Sequence, residues 1–205
     1  MISPPIPHPG PPHAQKEPTV SQDLLIRKIR HGFDRFDVDE SGDLTEADHV
    51  LMGQRSARAL GLPPGSDGER RIVDAYVGIW RNLHVPHLPP GVESMTREQF
   101  VESTLSLADD PEAAKATLGA LAEVFLSVAD ADGDGVVDPE EHLCFLRGHF
   151  PQVTREEADT VFRHLDRDGD GTLSREEFTS AVIEYWTSTD PHAPGNWWIG
   201  AGFTE

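Results

Sequence analysis

The sequence predicts an all-α fold: four helix–loop–helix units in two pairs, packed as one compact globule, with the second unit degenerate. Two observations carry that expectation. A twelve-residue acidic loop, with glycine at its sixth place and an apolar residue at its eighth, starts at Asp37, Asp130 and Asp166. Apolar residues at helical spacing flank each copy. A unit of this kind cannot bury its apolar face alone, so the units should pair.

Residues 1–20 hold seven of the 17 prolines and few apolar anchors, and are expected to form a disordered Pro-rich tail. From Ser21 to Phe36, Leu25, Ile29, Phe33 and Phe36 recur on one helical face. The first loop, Asp37 to Asp48, follows. A second helix runs to about Leu60, where Gly61-Leu62-Pro63-Pro64-Gly65 stops it. Ile72, Tyr76, Ile79, Trp80 and Leu83 mark a third helix, capped by Ser66 or Asp67.

Where the second loop should stand, Met95 aligns with the apolar eighth place. That alignment puts Leu88, Pro90, Val92 and Gln99 at places 1, 3, 5 and 12, none of them anionic. This loop is expected to keep its shape and hold no ion. His84 and His87 lack further ligands for a zinc site and are expected to be exposed loop histidines. A helix from Arg97 to about Leu107 ends the first pair, assigned to 21–107. Asp109-Asp110-Pro111 then reads as a helix cap with proline at the first turn.

The second pair is assigned to 108–186. Leu118, Leu121, Ala122, Phe125 and Leu126 lead into the Asp130 loop; Leu143, Phe145 and Leu146 leave it. Ala158, Val161, Phe162 and Leu165 lead into the Asp166 loop, and Phe178, Val182 and Tyr185 follow it. Residues 187–205 are non-helical yet carry Trp197, Trp198, Ile199 and Phe203, so they are expected to pack on the body.

The loops specify their chemistry. A hard divalent cation needs six to eight oxygens, and a short segment supplies them when acids alternate, glycine permits a sharp reversal, and a long carboxylate closes the far side. In the first loop the candidates are Asp37, Asp39, Ser41, Asp43, Thr45 and Asp48. In the third they are Asp130, Asp132, Asp134, the Val136 carbonyl, Asp138 and Glu141. In the fourth they are Asp166, Asp168, Asp170, the Thr172 carbonyl, Ser174 through a water, and Glu177. Three Ca2+ ions are expected. Asp48 is a methylene shorter than glutamate, so Mg2+ should compete chiefly at the first loop.

A second pattern coincides with the first. Thr45/Asp48, Thr96/Gln99, Asp138/Glu141 and Ser174/Glu177 each form a capping-box pair, and the ion-free second loop keeps it. Loop starts lie 36 residues apart in the second pair, placing Val137 beside Leu173 in a short antiparallel pairing. They lie 51 apart in the first pair, which implies an insertion around Gly61 to Gly68.

These loops resemble those of the EF-hand superfamily. Three intact loops with a silent second one, and the ending Asp190-Pro191-His192-Ala193-Pro194-Gly195-Asn196-Trp197, resemble the sarcoplasmic calcium-binding proteins, especially their bacterial calerythrin-type relatives. The resemblance covers residues 21–203. It implies a compact four-hand fold and calcium buffering or transport, with magnesium as competitor.

Composition narrows the partners. Acids outnumber bases 36 to 17, a net charge of −19, which suits cations and disfavours nucleic acid. One cysteine, Cys144, excludes an intrachain disulfide framework, and it reads as a buried apolar residue. No apolar run approaches a membrane span, and the first residues lack a signal-peptide pattern, so a cytoplasmic monomer is expected. No nucleophile elbow, phosphate loop or zinc-protease motif appears, so no enzyme is expected. With three methionines the chain lacks the Met-rich face of a calcium sensor, and a buffer is favoured. The alternatives are a sensor of an unspecified protein target, and a calcium-linked binder of an aromatic small molecule lined by Trp80, Trp186, Trp197, Trp198 and Tyr185.

Overall fold

A computed structural model of the chain describes residues 20–200. The expected Pro-rich tail, apart from Val20, and Phe203 of the C-terminal segment lie outside the described residues. Helix α1 (Val20–Phe36) leads through β1 (Asp43–Leu44) to α2 (Glu46–Ala59). Helix α3 (Asp67–Ile79) continues through a π turn, Trp80–His84, and a 3-10 turn, Val85–His87, before β2 (Met95–Thr96) and α4 (Arg97–Ala108). The second half repeats the plan: α5 (Pro111–Ala129), β3 (Val136–Val137), α6 (Pro139–His149), α7 (Arg155–Leu165), β4 (Leu173–Ser174) and α8 (Arg175–Thr187). A 3-10 turn, Pro194–Trp197, follows.

Local chemistry sets these boundaries. Ser66, Thr96, Asp110, Asp138, Thr154 and Ser174 each accept a backbone amide of the helix they open, satisfying donors that a first turn leaves free. Pro111 and Pro139 sit in first turns, where the missing N–H costs nothing.

Two short antiparallel ladders tie the loops together, Leu44 opposite Met95 and Val137 opposite Leu173. All four of these eighth-place residues are buried. The extra length of the first pair lies elsewhere than expected. The seven residues between α2 and α3 barely exceed the five between α6 and α7. Most of it is in the incoming helix: 13 α-helical residues, then five in the π turn and three in the 3-10 turn, against 11 in α7.

One contiguous core joins both halves. Helix α2 lies on α3 and α6, α5 on α8, and α1 on α4. At the seam His149 donates from Nδ1 to the Phe145 carbonyl (3.0 Å), which leaves Nε2 to accept the Tyr76 hydroxyl (2.9 Å); Ser56 donates to the same hydroxyl (3.0 Å). Burial depresses His149 to about 4.

Candidate metal centres

Each acidic loop gathers three carboxylates. Asp37, Asp39 and Asp48 form one cluster, Asp130, Asp132 and Glu141 the second, and Asp166, Asp168 and Glu177 the third; within each, one oxygen per residue lies within 4.8 Å of the others. Among the described residues these are the clusters of three or more such groups. Places 1, 3 and 12 thus converge, as the spacing required.

The closing carboxylates are held alike. Glu177 Oε1 accepts the amides of Arg167 (2.8 Å) and Asp168 (3.4 Å), and Oε2 accepts the amide and hydroxyl of Ser174 (2.9 and 2.7 Å). Glu141 takes the amides of Ala131, Asp132 and Asp138. Asp48, although shorter, takes the amides of Val38 (3.0 Å) and Asp39 (3.4 Å), and the amide and hydroxyl of Thr45 (2.9 and 2.8 Å). The shorter Asp48 thus keeps the same four partner groups that Glu177 has in the fourth loop. Burial pushes the Glu177 carboxyl up, yet the four hydrogen bonds outweigh it and hold the group below the usual carboxylate range.

The loop tips differ. Gly133 and Gly169, at place 4, have φ of 79° and 74°, and their amides donate to Asp130 and Asp166. The first loop has Glu40 there at φ 58°, the one non-glycine residue with positive φ among those described. That conformation costs an L residue on the order of 1 kcal/mol. In its place the Ser41 amide donates to Asp37 and Asp39 (2.9 and 3.0 Å); hydrogen bonding with the Ser41 side chain, and then with its amide, depresses the Asp39 carboxyl.

Other candidate residues brace the loops. Asp134 accepts the Val136 amide, and Asp170 accepts the amide and hydroxyl of Thr172, which lowers the Asp170 carboxyl. Asp138 caps α6 and Ser174 caps α8. Ser41 Oγ donates to the Asp43 carbonyl (3.0 Å), while the Asp43 side chain accepts Ser94 Oγ from the second loop (3.3 Å). Sequence reasoning missed Ser94 and Glu40. A signal for the tips did exist, in the paired glycines at places 4 and 6 of the last two loops.

The second loop gathers no carboxylates. Gln99 accepts the Thr96 amide (2.9 Å), reproducing the capping half of a closing residue, and Arg97 pairs with Asp34 (2.6 Å) over the Phe33 ring. His84 is not the exposed loop residue expected. The π turn carries it inward against Phe36, His49, Trp80 and Phe100, and burial drives it down to about 3. His87 is exposed. Cys144 is half-buried, less enclosed than expected, and burial raises its thiol.

The clusters are oxygen throughout, anionic and hard, without imidazole or thiolate. Such a donor set fits Ca2+ or Mg2+ and not zinc.

Comparison with known proteins agrees with this chemistry. Residues 120–183 match the EF-hand domain pair family. Calerythrin of Saccharopolyspora erythraea is 27% identical over 160 residues, covering 77% of this chain and 89% of that protein. The luciferin-binding protein of Renilla reniformis is 28% identical over 175 residues, 85% of this chain and 92% of that protein. Sarcoplasmic calcium-binding proteins are also relatives. The calcium-loaded apo form of the coelenterazine-binding protein from Renilla muelleri shares the fold, with a TM-score of 0.73 at 23% identity, over 89% of this chain and 98% of that one.

Proposed function

From the premise that this chain is a calcium-binding EF-hand protein related to calerythrin and the sarcoplasmic calcium-binding proteins, we propose that it is a cytoplasmic, monomeric calcium buffer with three cation sites and no enzymatic role. The carrying observation is the set of three carboxylate clusters around an otherwise closed core. Asp37, Asp39 and Asp48 would hold one ion, Asp130, Asp132 and Glu141 a second, Asp166, Asp168 and Glu177 a third. Each ion supplies charge that offsets the repulsion among its ligands. Binding therefore stabilises the fold, by about 4 kcal/mol per site at a free concentration a thousandfold above Kd. The shorter closing arm of Asp48 suits the smaller Mg2+, which should compete there first.

The core argues for a buffer over a sensor. Met52 and Met95 are each 1% exposed, so the described residues offer no methionine-rich groove. Trp186 and Trp198 are buried as well. Calcium titration with a hydrophobic dye tests the reading: little change in dye fluorescence through saturation supports a buffer, and a large rise rejects it.

A second reading, calcium-linked binding of an aromatic small molecule, is favoured by the luciferin-binding relative and by an internal cavity beside Phe36, His84, Phe100 and Trp186. That cavity is about 50 Å³ and its neighbour about 20 Å³. Pockets for drug-sized ligands run to roughly 300–1,000 Å³. The chain's own rings fill the space such a ligand would need. A chromophore co-purifying in stoichiometric amount would reverse this preference.

A further inference from the structure

The segment after α8 is bound down by a polar network that reaches the fourth loop. Arg167, at the loop's second place, donates its amide to the closing carboxylate of Glu177 (2.8 Å) and pairs through its guanidinium with Glu184 on α8 (2.8 Å). Glu184 Oε2 in turn accepts the Gly195 amide (2.9 Å). Its carbonyl accepts the buried Lys28 ammonium of α1 (3.2 Å), which also donates to the Ser188 carbonyl (2.6 Å) and to Asn196 Oδ1 (2.9 Å). The second places of the other acidic loops, Val38 and Ala131, carry no such charge.

The network holds an apolar strap, residues 188–200. Trp198 stands edge-on to Phe178 with ring centroids 4.7 Å apart and touches Phe125 and Phe145; Trp197 stacks on His164 at 3.8 Å. Close approach to α8 requires glycine at 195. A Cβ there would lie 2.5 Å from Glu184 Cβ and 2.7 Å from the Ala181 carbonyl oxygen.

We propose that the strap is a latch whose docking is coupled, through Arg167 and Glu184, to cation binding in the fourth loop. This rests on the reading of that loop as a calcium site and goes beyond it. A cation that fixes Glu177 fixes the Arg167 backbone and so presents the guanidinium to Glu184, which holds Gly195 in place. Linkage makes the effect reciprocal: a strap that cannot dock lowers the cation affinity of the loop by the same factor that loss of the cation loosens the strap. The pair is roughly one-third exposed on both sides, so the coupling should be modest, about threefold to tenfold.

Hydrogen exchange of the Gly195 and Trp198 amides, measured on the full chain in chelator and in saturating calcium, tests the latch alongside calorimetric titration. In the natural sequence, calcium should slow exchange at both amides at least about threefold beyond any change in the α1 amides. In Arg167→Ala that extra protection should vanish while both amides stay partly protected, because the Glu184 and Lys28 contacts remain. Gly195→Ala, remote from the ligands, should weaken one of the calcium sites by about threefold to tenfold. Normal calcium binding with strap exchange indifferent to calcium, or with Gly195→Ala of unchanged affinity, overturns the latch and leaves the calcium reading intact. No heat of calcium binding at the fourth loop overturns both.

Discussion

The two halves of this molecule solve one geometric problem with different charge. In the C-terminal half both loops gather three carboxylates, close on glutamate and turn on glycine. In the N-terminal half one loop closes on Asp48 and turns on Glu40, and its partner gathers none. Both halves nevertheless form the same two-residue antiparallel ladder between loops. Loop pairing is therefore a property of the buried eighth-place residues and the helix caps, and cation binding is a separate property laid over it. The second loop has no carboxylate cluster among the described residues and is held by other contacts: Gln99 on Thr96, Ser94 on Asp43, and Arg97 on Asp34.

The largest effect that separates the halves should come from Glu177→Gln. This change keeps the side chain's shape and removes the charge that closes the fourth loop. It should abolish one calcium site and, through the Val137–Leu173 ladder, weaken the Asp130 site by about fivefold or more. The Asp37 site should be unaffected. Calorimetric titration checks this, and equal losses at all three sites would break the division into halves.

Acid should next sever the bridge between the halves. His149 is neutral and buried, with the Tyr76 hydroxyl at Nε2, Ser56 donating to that hydroxyl, and Arg55 donating to the His149 backbone carbonyl. Its ordinary value of 6.5 falls to about 4 in the fold. Between those values the unfolded chain binds the proton and the folded chain does not. Stability is thus complete above about 6.5 and drains as pH falls toward 4, by about 3 kcal/mol for this residue. His142, also buried and also at about 4, adds to the loss within the C-terminal half. Urea unfolding in chelator from pH 7 to 4 measures it, and His149→Gln should flatten the slope by about one proton.

A smaller effect should follow from Gln99→Ala. Loss of the amide cap should cost the fold about 1 kcal/mol, read from thermal melting in chelator, with calcium stoichiometry unchanged. A fall in stoichiometry would mean that the silent loop takes part in cation binding.

Much of this was legible in sequence because ligand geometry constrains residue identity at fixed intervals. Asp166, Asp168 and Glu177 must stand at places 1, 3 and 12 for a twelve-residue loop to gather them, and apolar Met95 revealed the register of a loop with no acids. Contacts between distant elements left no such trace. Lys28 lies on a helix between arginines and reads as surface, yet it is fully buried because Glu184, Ser188 and Asn196 offer oxygens from some 160 residues away. His84 was misread as a loop residue because the helix does not stop at Leu83: a π turn extends it through His84 and carries the ring inward. The extra length in the first pair was misplaced for the same reason: Trp80–His87 continues the helix past the proline at 86, which suggested a loop.

Carboxylate clustering, and not loop shape, should decide where a cation binds. Calorimetric titration of the full chain with calcium, without and then with millimolar magnesium, tests it most directly. Three ions should bind in calcium alone, and magnesium should weaken the apparent affinity of one of them far more than the other two. Binding of four ions, or of none, or equal displacement by magnesium at all three sites, would contradict it.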